Sequence, residues 1–252
     1  MKQLNKLVRK IRAEVITLIF WPLVGKNRII GYPDASFRNN ADKSSQRGMA
    51  IFIAEPRDPK KTDTRGSLVD YESQKIKRTV LSTTVAELYA FMKCHGTCQF
   101  LRGLWMDISG CEAELHMRTD ANNLVTTAST THLPEQKETI HMIQMLRTES
   151  LSGSIDDLAH VVTHDMLADC LTKHSAKPDY LIKAIATGYL PNADKHPPFR
   201  QLMQGKHKAY LTLAGWITRN IPAAGEVCTF LGEYVHREIQ TVLKVTDWYN
   251  DV

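Results

Sequence analysis

The chain has 252 residues, 43% apolar and 23% charged, close to the averages of a globular protein. That balance excludes a disordered tail, a collagen-like fibre and a coiled-coil rod. Five cysteines with no CxxC pair exclude a disulfide scaffold and argue against a zinc site.

The formal charge is +5. Residues 1–27 hold six basic groups (Lys2, Lys6, Arg9, Lys10, Arg12 and Lys26) and one acid, Glu14, while the rest holds 26 of each sign. The whole excess therefore sits at the start of the chain. A basic end on a balanced body suits an anionic partner such as nucleic acid, although solvated helix faces carry such runs equally often. The longest apolar stretch, Val15–Val24, is about half the length a spanning helix needs. The basic part before it is long, and Gly25, Lys26 and Asn27 offer no small-residue cleavage site after it. No membrane span and no secretory signal are expected, and an intracellular setting, cytoplasmic or nuclear, follows.

Leu4, Leu7, Val8 and Ile11 stand at helical spacing and predict a short amphipathic helix over 2–14. The β-branched run Val15–Phe20 predicts a strand. Strands are then expected at Arg28–Ala35, Arg47–Ala54 and Ser67–Glu72, joined by short polar loops that favour antiparallel neighbours. A long helix follows from about Thr84, capped by Ser82, Thr83 or Thr84 and stopped at Gly110. Leu88, Phe91, Met92, Leu101, Leu104 and Trp105 mark its apolar face. Glu112–Thr119 reads as a fourth strand, Asn122–Thr130 as a short helix or loop, and Glu135–Glu149 as a helix with Ile140, Ile143, Met145 and Leu146 as core residues. Asp157–Thr163 reads as a fifth strand, and 164–174 and 178–188 as a closing pair of helices. The order is βββαβαβα. Asn192–Pro198 marks a boundary. Cys94, Cys98 and Cys111 are expected as buried thiols.

Four acids stand at informative places. Asp34 and Asp120 end the first and fourth strands; Glu87 lies near the start of the long helix, and Asp169 in the helix after the fifth strand. An α/β fold gathers such groups at one sheet edge, where their mutual repulsion is relieved by a divalent cation. Oxygen ligands without a Cys or His alternative select Mg²⁺ or Mn²⁺. Two such ions about 3.5–4 Å apart can activate a water and stabilise a leaving oxygen in phosphodiester cleavage. Asp at a strand end is also an ordinary turn residue, so position alone leaves both readings open.

The local sequences add to this. RIIGYPDASF, RTVLSTTVAELYA, MRTDANNLV and DMLADCLTK, with SSQRGMAIFIA between the first two, occur in that order over residues 28–175. Together they resemble the ribonuclease H domain of copia-type LTR retrotransposon polyproteins. The resemblance implies a mixed five-stranded α/β sheet, three antiparallel strands followed by two parallel ones, flanked by helices. It implies that Asp34, Glu87, Asp120 and Asp169 bind the catalytic Mg²⁺ or Mn²⁺, with Asp165 as the rival for the fourth place. The family's SSTEAEY is STTVAELY here, and Ala121 stands where the family has Asn. The implied domains are a basic connection-like segment (1–27), a ribonuclease H-like domain (28–190) and a helical C-terminal extension (191–252). The implied reaction is metal-dependent endonucleolytic hydrolysis of the RNA strand of an RNA/DNA hybrid, with a reverse transcriptase of a parent polyprotein as a partner. Lys75, Lys77 and Arg78 precede the helix bearing Glu87 and are placed to meet phosphates. Asn122 and Asn123, beside Asp120, are placed to donate to a 2′-hydroxyl or phosphate. His164, near the fourth acid, is a candidate for proton transfer. The alternative is a degenerate copy that keeps the fold to bind nucleic acid or protein without catalysis. An integrase-type core would place the glutamate last, and here it comes second.

Overall fold

Every residue of β1 (Arg28–Ser36) is buried. A strand covered on both faces belongs inside a sheet. In the computed structural model, which describes residues 17–56, 58, 63–129, 137–173 and 175–191, β1 pairs antiparallel with β2 (Gln46–Ala54) and parallel with β4 (Glu114–Thr119). β2 pairs antiparallel with β3 (Asp63–Lys75), and β4 pairs parallel with β5 (Asp157–His160). A short strand, β6 (Tyr189–Pro191), adds antiparallel to the start of β3 and makes the order β5-β4-β1-β2-β3-β6. This is the ribonuclease H-like arrangement expected from the sequence, with six strands instead of five. β6 has only three residues, too short for any alternation of side chains to show.

The first helix, α1 (Thr83–Ser109), starts where Ser82 Oγ accepts from the Val85 N–H and ends at Gly110, whose φ of 67° suits glycine. It lies on one face of the sheet, where Gly31 leaves room for the thiols of Cys94 and Cys98. The helix has 27 residues, about 40 Å at 1.5 Å per residue, and outruns the sheet. Leu88 and Phe91 are therefore buried as expected, but Leu104 is exposed and Trp105 half-buried. Cys111, in the turn beyond, is exposed and not a core thiol.

Two helices follow β4: α2 (Asn122–Ser129) and α3 (Lys137–Ser152). The buried side of α3 runs through Thr139, Ile143, Leu146 and Ser150, so Met145 faces outward. After β5 a 3-10 turn (Thr163–Asp165) replaces most of the expected helix, leaving only α4 (Asp169–Thr172), then α5 (Asp179–Thr187). Met166, Leu167 and Ala168 join Leu181, Ala184 and Ile185 over the second face, against Ile30, Tyr32, Ala50 and Phe52. Tyr32 and Phe52 meet edge to face at 5.9 Å.

Thr17–Phe20 forms no strand, and Leu18, Ile19 and Phe20 are exposed. Trp21 instead fastens the chain to the sheet: its N–H donates to Ser67 Oγ at 2.9 Å, and its ring fills the space beside Gly188. The helix expected over 2–14 and the extension from 192 onward lie outside the described residues. No helix among the described residues is long and apolar enough to cross a membrane.

Gly48 sets how closely α4 approaches. A Cβ there would stand 2.8 Å from Thr172 Cγ2 and 2.9 Å from Leu171 Cβ. Gly103, in the exposed part of α1, has open space around it. Gly48→Ala should therefore destabilise the protein by about 1–3 kcal/mol through overpacking, whereas Gly103→Ala should stabilise it by about 0.5–1 kcal/mol through helix propensity. Chemical denaturation of the two variants beside the parent chain checks the opposite signs.

Candidate metal centre

The register of β1 against β4 builds the centre. Gly31 pairs with Met117, and continuing that register brings Asp34 level with Asp120. The last pair is Gly31 with Met117, and Pro33, two residues on, has no N–H to donate to a ladder. On the other side Asp34 pairs with Gly48, the residue over which α4 closes. α4 begins with Asp169, so a third carboxylate arrives above the same rung.

Carboxylate oxygens of Asp34, Asp120 and Asp169 all lie within 4.8 Å of one another. Asp165 is not among them; it faces the exposed His164 at 3.6 Å on the 3-10 turn. His164 thus belongs to that turn, and its ring also packs near Tyr180. Glu87 stands beside the three, on the second turn of α1, close enough for the charges of Asp34 and Asp120 to act on it. Asp120 is anchored through its backbone, whose carbonyl accepts from the His160 ring at 3.2 Å and from the Asn122 N–H at 3.0 Å.

Burial governs the electrostatics. Asp34 is fully buried and Glu87 only 8% exposed. Loss of hydration pushes Asp34 up to about 6, against the lowering effects of the Thr172 hydroxyl and Lys173. The same loss, followed by the charges of Asp34 and Asp120, pushes Glu87 up to about 9. Asp120 is raised chiefly by burial as well. Two residues absent from the sequence reading complete the centre. Thr172 donates its hydroxyl to Asp34 Oδ2, and Lys173 donates to Asp169 Oδ1 while lying 3.7 Å from Asp34 Oδ1. The signal for Lys173 was its place four residues after Asp169, a spacing that brings opposite charges together on a helix.

Two buried oxygens, Asp34 Oδ1 and Glu87 Oε2, accept no hydrogen bond. A native fold rarely leaves such atoms unsatisfied without a further partner. Acceptors alone, all of them carboxylate oxygens, fit a hard divalent cation such as Mg²⁺ or Mn²⁺.

A cavity of about 270 Å³ opens beside these acids, lined by Thr83, Thr84, Glu87, Asp120, Asn122 and Asn123 among others. Both asparagines are exposed at the start of α2. Lys77 and Arg78 are exposed in the loop before α1. Lys75 ends β3 and is bound to Asp42 across the hairpin. His141 is exposed on α3.

Three solved structures are similar to parts of this chain. LC11-RNase H1 in complex with an RNA/DNA hybrid is 18% identical over 57% of this chain and 94% of its own, with a TM-score of 0.41. RNase H1 from the halophilic archaeon Halobacterium salinarum is 16% identical over 57% of this chain and 94% of its own, with a TM-score of 0.39. The foamy viral protease-reverse transcriptase in complex with an RNA/DNA hybrid is 13% identical over 63% of this chain and 21% of its own, with a TM-score of 0.40. No protein-family model and no curated protein matches the chain.

The pKa shifts give a pH dependence with a definite sign. Asp34 and Glu87 rise from 3.8 and 4.5 to about 6 and 9 in the folded chain. Between those values the folded state keeps protons that the unfolded state has released, so the contribution of these groups to stability falls as pH rises. In chelator, Glu87→Gln should be more stable than the parent chain at pH 8, by about 1 kcal/mol or more. The gap should shrink toward pH 4. Thermal unfolding from pH 5 to 9 checks this, and a gap that grows toward acid would refute it.

Proposed function

We propose that residues 28–190 form a metal-dependent ribonuclease H that cuts the RNA strand of an RNA/DNA hybrid, yielding 3′-hydroxyl and 5′-phosphate ends. The observation that carries the reading is the convergence of Asp34, Asp120 and Asp169 within 4.8 Å, beside two buried carboxylate oxygens without hydrogen bonds. The hybrid as substrate rests on the ordered motifs that resemble copia-type polyproteins, and so does a reverse transcriptase as the partner of a parent polyprotein.

Asp34, Glu87, Asp120 and Asp169 would hold the metal. Bound Mg²⁺ supplies the positive charge that makes water nucleophilic at neutral pH and stabilises the departing 3′ oxygen. Asp34 is held by Thr172 and by its place in a central strand, so its other oxygen would be oriented in advance for an ion. Asp120 and Asn122 share one turn, and Asn122 and Asn123 line the cavity, where their amides would donate to a sugar hydroxyl or phosphate. Lys77 and Arg78, exposed in the loop before α1, and Lys75, once released from Asp42, would meet the backbone phosphates. Residues 1–27 add a basic segment suited to the same polyanion.

The assay is cleavage of a 5′-labelled RNA strand annealed to DNA, with Mg²⁺ or with chelator, beside Asp34→Asn. Cleavage should require the metal and fall about a hundredfold or more in the variant, the scale of several kcal/mol of lost charge stabilisation. A folded protein that binds the hybrid without cutting it would establish the non-catalytic alternative. Cleavage that survives in Asp34→Asn would place the chemistry elsewhere.

A further inference from the structure

Lys173 follows α4 and folds its side chain back over the helix. The ammonium donates to Asp169 Oδ1 and stands 3.7 Å from Asp34 Oδ1. Burial works against the charged form, but the bond to Asp169 and the charges of Asp34, Asp169 and Asp120 outweigh it and raise the lysine's pKa. This cation lies where three carboxylates meet, and one of them is closed to water.

Its two contacts differ. With Asp169 it makes a hydrogen bond; toward Asp34 Oδ1 it offers charge at a distance too long for one. Asp34 Oδ1 is thus screened without being saturated, and the oxygen keeps its lone pairs for another ligand. Asp34 does not need the lysine for its orientation, because Thr172 already binds Oδ2. The lysine side chain is 32% exposed, so its flexible four-carbon stem has a path outward.

A divalent ion bound by Asp34 and Asp169 would bring two further positive charges up to this ammonium. The two cations draw on the same carboxylate charge and repel each other. We propose that Lys173 is a resident counter-ion: it holds the acidic centre together while no metal is bound, and the metal must displace it, so that Lys173 sets the metal affinity. This rests on the reading of the acids as a metal centre.

The test uses the full chain, Lys173→Met, which keeps the apolar stem without the charge, and Lys173→Arg, which keeps the charge. Mn²⁺ affinity is read by calorimetry or by the electron paramagnetic resonance signal of the free ion, and Tm is read in chelator. Lys173→Met should bind Mn²⁺ about tenfold tighter and melt lower than the parent chain in chelator at pH 8. Lys173→Arg should stay near the parent chain in both. In the unaltered protein, labelling of Lys173 by an amine-reactive reagent, located by mass spectrometry, should be several-fold faster with saturating Mn²⁺ than with chelator. That arm holds even where Lys173→Met fails to fold. Equal or weaker Mn²⁺ binding by Lys173→Met, or labelling that slows or stays constant once Mn²⁺ is bound, would overturn the proposal. Failure of every form to bind Mn²⁺ would instead bring down the metal-centre reading itself.

Discussion

Two carboxylates at one level of a sheet and a third on the helix above them, one of the three out of reach of water, are the constraint around which this fold is arranged. Two like charges 4 Å apart repel by about 4 kcal/mol at an effective dielectric constant of 20. Asp34 cannot move away from its neighbours, because it pairs with Gly48 on β2 and its strand is held by β4 as far as Gly31. Asp120 is fixed by the parallel register, and Asp169 by the close seat of α4 over Gly48. The backbone imposes the proximity, and the side chains must then find a way to tolerate it.

They do so in two ways. The deep pair, Asp34 and Glu87, resists ionisation because burial removes hydration. The outer pair, Asp120 and Asp169, is half-buried, and Asp169 has an ammonium bound to it. Proton uptake and Lys173 are thus two responses to one excess of negative charge, and the proposed divalent ion would be a third. The proposed ion would also reach Asp34 Oδ1 and Glu87 Oε2, which accept no hydrogen bond from the described residues.

Much of this arrangement is legible in the residues. RIIGYPDAS reads as a strand, and its continuous burial follows from its place between β2 and β4, since the meander alone would leave it at an edge. The ends of α1 were marked by Gly110 and by the cap candidates Ser82, Thr83 and Thr84, of which Ser82 caps the helix, local signals that act through a single turn. The choice of Asp169 over Asp165 was open in the sequence. The fold separates them through three buried residues, Met166, Leu167 and Ala168, which pack on the sheet and leave Asp165 behind on the outer turn. What remained hidden depends on distant packing. The exposure of Leu104 follows from a helix longer than its sheet, and β6 exists because its three residues meet the edge of β3. Nothing within either segment encodes those partners.

The same distinction explains why Thr172 and Lys173 escaped notice. As LTK they look like the polar end of a short helix, and α4 spans only four residues. Such a helix has little stability of its own. Its position comes from Leu171 and Thr172 packing on the Cβ-less surface of Gly48. Gly48 pairs across the ladder with Asp34, so the contact that seats the helix also sets its side chains over the buried acid. A glycine on β2, a hydroxyl and an ammonium on α4, and a carboxylate on β1 therefore act as one unit. The acids mark where the centre lies, but the missing side chain at Gly48 determines how tightly it can close.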